Sequence, residues 1–404
     1  MSLGEQRARR IAVIGAGIIG TSIALELNKR GADVTLLDRD EPGRGCSYGN
    51  SGAISPSSVA PLAMPGVLAS VPKMLLDRES PLYLPLAYLP RAMPWLLRFV
   101  AAARPAVVAD AAAKLAALHA DSVKAHEAMS RKLGVPELFL QRGHLHLYPN
   151  DGALAADAQG WEMRKAYGFK CERIDRPGID ALEPRVSTRY QLGMWIADHA
   201  TILNPFRYVQ AMARAFSAAG GKIVRTDVAA LRCHESRWTV AGANELRAPF
   251  FDAAVVAAGA WSKALLSPLG FSLPLESQRG YHVQFQGARE IVSRTVVLAD
   301  KKVFFTPMED GLRVGGTVEI AGLTAPPNPR RATILARIAR EAFEGLENIP
   351  NNVWMGHRPC LPNSVPVVGP VPGRQGLWVA TGHGHMGLMD SLSTAKRISQ
   401  QMLG

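Results

Sequence analysis

The segment that most constrains this chain opens with Arg10-Ile-Ala-Val-Ile-Gly15, a short β-branched run of the kind found in buried parallel strands. It continues as Gly15-Ala-Gly17-Ile18-Ile19-Gly20 and then at helical spacing from Thr21 to Arg30, with Gly31 closing the helix. Ala32-Asp-Val-Thr-Leu-Leu-Asp38 reads as a second strand, and its terminal acid lies 18 residues beyond Gly20. Each residue type has a reason to be there. Gly15 permits a tight turn, Gly17 lets a pyrophosphate reach the backbone, and Gly20 lets the helix press on the strand. The free N–H groups around Ile18 and Ile19 and the positive end of the helix dipole then face the phosphates. Asp38, followed by Arg39, suits an unphosphorylated ribose diol. A glycine triplet alone is weak evidence, but with strand, helix, second strand and acid in place it predicts a dinucleotide site. It leaves NAD and FAD both open.

Composition narrows the setting. The 404 residues exceed one ordinary core, which predicts two domains, and 48% hydrophobic with 20% charged residues is a globular balance. Lys and Arg exceed Asp and Glu by 46 − 34 = 12, yet the basic residues are scattered. No nucleic-acid partner is therefore expected, whereas an anionic ligand or membrane face remains compatible. Cys46, Cys171, Cys233 and Cys360 show no paired spacing, which fits a reducing compartment and no structural metal. The first ten residues lack a leader-like apolar run and no stretch reads as a membrane span, so a cytoplasmic protein is expected.

After the second strand comes a Gly/Ser-rich loop, Arg39-Asp-Glu-Pro-Gly-Arg-Gly45-Cys-Ser47-Tyr-Gly-Asn50-Ser51-Gly52. A nicotinamide dehydrogenase would usually return sooner to another βα unit, and so many backbone donors suit a longer cofactor. Here the chain resembles the FAD-dependent D-amino acid oxidase/dehydrogenase superfamily, and Ser47-Tyr-Gly-Asn50-Ser-Gly52-Ala-Ile-Ser55-Pro56 is especially similar to bacterial D-amino acid dehydrogenases. Two further segments carry the resemblance. Phe251-Asp-Ala-Ala-Val-Val-Ala-Ala258-Gly259-Ala-Trp261 resembles the turn that packs on FAD, with Asp227-Val228 near the adenine. His357-Arg358-Pro and Thr381-Gly382-His383-Gly384-His385-Met386-Gly387 resemble the C-terminal signature, in which a helix start faces the flavin.

The resemblance implies an α/β fold with a discontinuous Rossmann-like FAD-binding domain (1–58, 198–270 and 350–404). The remainder (59–197 and 271–349) would form a substrate domain with a mixed or antiparallel sheet and a helical cover. Residues 110–133 read as one long Ala-rich helix, and Arg142–Tyr148, Tyr281–Phe285 and Leu312–Val318 alternate as strands. Residues 59–108, with Lys73, Arg78, Arg91 and Arg98, read either as a helical excursion on the substrate domain or as a peripheral contact with the inner membrane.

The implied reaction is oxidation of a D-amino acid, or of a cyclic secondary amine such as a D-hydroxyproline, by hydride transfer to flavin N5. A quinone or oxygen would be the acceptor. Arg358 is the expected carboxylate ligand, with Arg279, Tyr281 and His282 as a second group near the ring. His383 and His385 are expected to contribute backbone to the flavin site. Asn363-Ser364 replaces the family's usual Asp-Gly, and Val303–Met308 lacks the arginine of glycine oxidase-like members. Neither Cys46 nor Cys360 matches a covalent attachment site, so the FAD is expected to be non-covalent. The H-x-H pairs His144/His146 and His383/His385 lack a third ligand nearby, and no metal is expected. The rival readings are a sarcosine- or glycine-type oxidase using oxygen, a flavin subunit passing electrons in a larger complex, and an NAD dehydrogenase.

Overall fold

The computed structural model describes residues 8–65, 82–242 and 249–404. Two sheets organise it. The first has six strands in the order Lys222–Arg225, β2 (Asp33–Asp38), β1 (Arg10–Ile14), Ala253–Val256, Leu377–Thr381 and Val367–Pro370. All neighbours run parallel except the last pair. Its central strands are apolar because both faces are covered, one by helices and the other by the three-stranded sheet of Val228–His234, Arg237–Gly242 and Phe250–Phe251 with a short helix beside it. Helix α1 (Ile18–Lys29) buries Ile23, Ala24 and Leu27 against Ile11, Val13, Val34 and Leu36, with Phe216, Ile398 and Met402 from two further helices closing the layer. Each Ile, Leu, Val, Phe or Met side chain among these contributes about 1.5–3 kcal/mol when fully buried.

The second sheet has ten strands. Its path is Leu82–Tyr83, Val318–Ile320, Glu276–Gln286, Gly311–Gly315, Val303–Met308, Thr295–Leu298, His144–Tyr148, Leu192–Ile196 and Glu172–Ile174. Asn351–Cys360 pairs separately with Glu276–Gln286. Two of its ladders are parallel and the rest antiparallel, so the sheet is mixed. The helix Pro329–Ala342 covers one face, setting Leu335, Ile338 and Ala339 against Val283, Phe285, Leu312 and Val314. This matches the expected α/β class with a mixed sheet and one helical cover.

The long ladder from Glu276↔Cys360 to Phe285↔Asn351 joins the two halves. At its end Cys360 forms a bridge with His383, and Gly384 N–H donates to the Pro359 carbonyl at 2.8 Å. Residues 351–360, expected from sequence in the cofactor domain, pair as a strand with the second sheet. The expected helix over 110–133 is two helices, Pro105–His119 and Ser122–Lys132, with Asp121 at the break. An Ala-rich surface gives little to hold one axis, and Asp competes poorly as a helix-interior residue. The expected strand over 312–318 is likewise two, parted at Gly316 (φ +153°), where a Cβ would come within 2.2 Å of the Lys302 carbonyl oxygen.

Candidate active site

A cavity of about 290 Å³ runs along the C-terminal edge of the six-stranded sheet. At one end it is lined by Asp38, Arg39, Thr226, Asp227 and Val228, in the middle by Gly15, Gly17, Ile18, Ile19 and Ser47, and at the far end by Cys46, Asn50, His357, Pro359, Gly384 and Gly387. Ala258, Gly259, Trp261 and His383 line it as well. Carboxyl ends of parallel strands are where open α/β sheets bind ligands.

The local geometry shows why glycine stands where it does. Gly15 has φ +104°, and a Cβ there would lie 2.4 Å from the Ala257 carbonyl oxygen. A Cβ on Gly20 would lie 1.8 Å from the Gly15 carbonyl oxygen, so Gly20 serves helix–strand packing and does not line the cavity. Gly17 is different: its Cβ would meet only Ser47 Oγ, at 3.6 Å. Space is left there for a ligand. Ser47 Oγ accepts the Ile18 N–H at 2.9 Å, which ties the glycine-rich loop to the helix start. Asp38 accepts Ala16 N–H at 2.6 Å and Asp40 N–H at 3.0 Å, so its carboxylate is held in place beside the turn. The Arg39 guanidinium lies 4.3 Å from the Trp261 ring centroid, and that ring meets His357 edge-on at 5.3 Å.

The second sheet grips the same loop from above. Arg313 donates to the Tyr48 and Asn50 carbonyls at 3.1 and 2.5 Å and to Gln284 Oε1 at 3.1 and 2.7 Å. Burial lowers its pKa to about 10, which leaves it charged. His282 donates from Nδ1 to the Gly49 carbonyl at 3.1 Å and stacks on Trp354 at 5.2 Å. Burial, reinforced by Arg313, lowers the His282 pKa to about 3, so its ring is neutral.

Arg358 lies across Gly280 on the neighbouring strand, where a Cβ would come within 2.3 Å of its guanidinium carbon. One Nη1–H donates to the Thr317 carbonyl at 2.8 Å, which orients the fork without occupying it. Beside it stand two thiols raised by burial, Cys46 to about 11 and Cys360 to about 12. Both are neutral at pH 7, so neither sets an anion against the guanidinium. A fixed, half-buried, unneutralised arginine is what a carboxylate needs.

Several expected site residues are placed elsewhere. Tyr281 donates its hydroxyl to Glu319, accepts the Asn328 N–H at 2.8 Å and packs in the core under the Pro329–Ala342 helix. Arg279 is fully buried on that same face, at 3.8 Å from Glu319. Alternate residues of a strand point to opposite faces, so Tyr281 and His282 never share a site. Gly52 (φ +75°) and Gly382 (φ +89°) shape turns, and a Cβ on either would strike Ile202 or Leu361. Ser51 lies between Asn50 and Gly52, whose N–H donates to Asn50 Oδ1 at 2.8 Å. Met386 is buried at the start of the C-terminal helix Gly387–Leu403, and His385 is exposed beside it. None of these five residues, nor Arg358, lines the cofactor cavity. Sequence reasoning missed Asp40, Arg44 and Thr381 as lining residues and gave Arg313 no role. The run Leu312-Arg313-Val314, a lone cation in a buried alternating strand, was the available signal for the last of these.

An elongated channel with an acid at one end, a helix N-terminus in the middle and backbone-rich turns at the other defines a dinucleotide-binding oxidoreductase fold. The family model described as FAD dependent oxidoreductase matches residues 10–401, and the chain belongs to that family. FAD is its cofactor, and the cavity fits it: the Gly17 face is open for the pyrophosphate, and small residues line the route toward Gly384 and Gly387. A D-amino-acid oxidase of Bradyrhizobium diazoefficiens is 37% identical over 403 residues, covering 98% of this chain and 95% of that protein. A D-amino acid dehydrogenase of Cereibacter sphaeroides is 31% identical, covering 98% and 92%. Among solved structures, glycine oxidase of Geobacillus kaustophilus shares the fold with a TM-score of 0.76 at 19% identity, covering 98% of this chain and 95% of that one.

Proposed function

We propose that the protein oxidises the Cα–N bond of a D-amino acid, or of a cyclic secondary amine such as a D-hydroxyproline, to the imine. Water then releases a keto acid and ammonia, or leaves the cyclic imine. The observation that carries this reading is Arg358, oriented by Thr317, with no carboxylate partner among the described residues, and flanked by His357 and Pro359, which line the channel. The names of the two sequence relatives support the substrate class.

Asp38 would take the ribose, the Gly17–Ile19 turn the pyrophosphate, and the 45–50 loop with Gly384 and Gly387 the flavin. FAD, when bound, supplies the hydride acceptor. The protein's part is orientation: Arg358 holds the carboxylate, His282 and Arg313 hold the loop, and the C-terminal helix start favours negative charge near Gly387. We assign 1–58, 198–270 and 350–404 to the cofactor unit and 59–197 and 271–349 to the substrate unit, with the strand Asn351–Cys360 shared between them. Anaerobic turnover with an artificial acceptor tests the reaction. D-alanine or D-proline should yield keto acid or cyclic imine at rates at least about 100-fold above the L-forms, since a wrong-handed Cα–H points away from its acceptor.

For the electron acceptor we propose a quinone in an anionic membrane that the protein touches peripherally. Among the described residues no helix is long and apolar enough to cross a membrane. The helix Leu89–Ala102 buries Ala92 and Trp95 but leaves Met93, Leu97 and Val100 exposed, with Leu86 just before it 84% exposed. Arg91, Arg98 and Arg104 are exposed around them, whereas Lys73 and Arg78 lie outside the described residues. Near an anionic surface each such arginine contributes about 1 kcal/mol. The protein should sediment with vesicles containing anionic lipid and not with neutral ones, and Leu97→Asp should abolish this. Peroxide release equal to turnover, with no vesicle binding, would make oxygen the acceptor.

A further inference from the structure

Arg358 accounts for the carboxylate of an amino acid, but the amine also needs a partner. Most polar side chains at that end of the channel already have one. Ser47 Oγ takes Ile18 N–H, Asn50 Oδ1 takes Gly52 N–H, and His357 Nδ1 pairs with Ser277 Oγ at 2.9 Å. His383 Nε2 pairs with Thr394 Oγ1 at 3.0 Å, and His282 is held by Gly49. His385 is the exception: its ring makes no hydrogen bond to any described residue.

His385 stands between Gly384 and Gly387, both of which line the cavity. It is exposed, although Gly382, His383, Met386, Leu388, Met389 and Asp390 around it are buried. The titratable and charged groups that act on it are Arg358, Asp390 and His119, and the last two are fully buried, 3.3 Å apart. The Cys360–His383 bridge and the 2.8 Å bond from Gly384 N–H to the Pro359 carbonyl pair this segment with the strand that carries Arg358, so His385 follows directly on the residues held beside it. Desolvation by the buried groups around His385, reinforced by Arg358, lowers its pKa to about 4, so one ring nitrogen carries a free lone pair at neutral pH.

We propose that His385 is a substrate-contacting residue whose free ring nitrogen accepts an N–H of the substrate amine while Arg358 holds the carboxylate. The inference rests on the amino acid reading above. With the carboxylate on Arg358 and the amine on His385, one of the two remaining Cα substituents, hydrogen or side chain, must face the flavin, and the two residues together with the flavin face select handedness.

The test compares wild type with His385→Phe and His385→Asn, each purified with FAD, by perturbation of the flavin spectrum. The probes are propionate, which lacks the amine, and D-alanine, followed anaerobically. His385→Phe should bind propionate within about 2-fold of wild type but lose about 10–100-fold in apparent affinity for D-alanine, the range for one hydrogen bond to a charged group. His385→Asn, which keeps an acceptor, should recover part of that loss, and the D-to-L preference should fall in His385→Phe. Equal weakening of propionate and D-alanine, or no change in either, overturns the proposal. Wild-type protein that propionate perturbs but no D-amino acid reduces would instead overturn the substrate reading on which it rests.

Discussion

Arg358→Leu is expected to lower kcat/KM for amino acid substrates by about 10²–10⁴-fold, equivalent to about 3–5 kcal/mol of lost charge-assisted binding. It should leave the FAD content unchanged, because Arg358 does not line the cofactor cavity. Gly280→Val should give a similar loss without touching the charge. The guanidinium rests where that side chain would sit, with the Gly280 Cβ position 2.3 Å from its central carbon. The two variants together separate position from charge. Steady-state kinetics with visible spectra of both purified proteins would check this. If Arg358→Leu changed KM less than about 3-fold, the carboxylate would bind elsewhere.

The second large effect divides two glycines of one motif. Gly20→Val forces a side chain onto the Gly15 carbonyl, which is backbone and cannot yield, so the α1–β1 packing must break. Little folded protein should be recovered. Gly17→Val meets only ordinary contact at Ser47 and should fold with a melting temperature near that of the wild-type apoprotein. Its side chain would nevertheless stand where the pyrophosphate approaches, and FAD affinity should drop about 100-fold or more, as expected when backbone donors at a helix start are blocked. Thermal unfolding with flavin quantitation distinguishes these outcomes. Equal FAD content in Gly17→Val and wild type would contradict the assignment of this turn to the phosphates.

How much of this was readable beforehand follows from the range of the interactions. The strand–turn–helix–strand unit from Arg10 to Asp38 is local, and its glycines, apolar run and terminal acid each report a nearby steric or electrostatic demand. Arg358 was legible only through resemblance, since its place depends on Gly280 and Thr317, 78 and 41 residues away. Tyr281 and His282 show the limit of pattern reading. Strand alternation says that they part company, but only the partner layers say that His282 faces the loop and Tyr281 the core. Arg313 escaped notice because its role is to hold carbonyls more than 260 residues upstream. The break at Asp121 was hidden for another reason: an alanine run carries helix propensity without a stripe to say where one helix ends.

The most direct measurement is an anaerobic visible spectrum of the purified holoprotein during titration with D-amino acids, their L-enantiomers, sarcosine and the 4-hydroxyproline isomers. The predicted result is a flavin band bleached by D-compounds in stoichiometric amounts and left intact by L-amino acids at the same concentration. A flavin band that none of these compounds reduces, or that sarcosine and glycine alone reduce, would contradict the account.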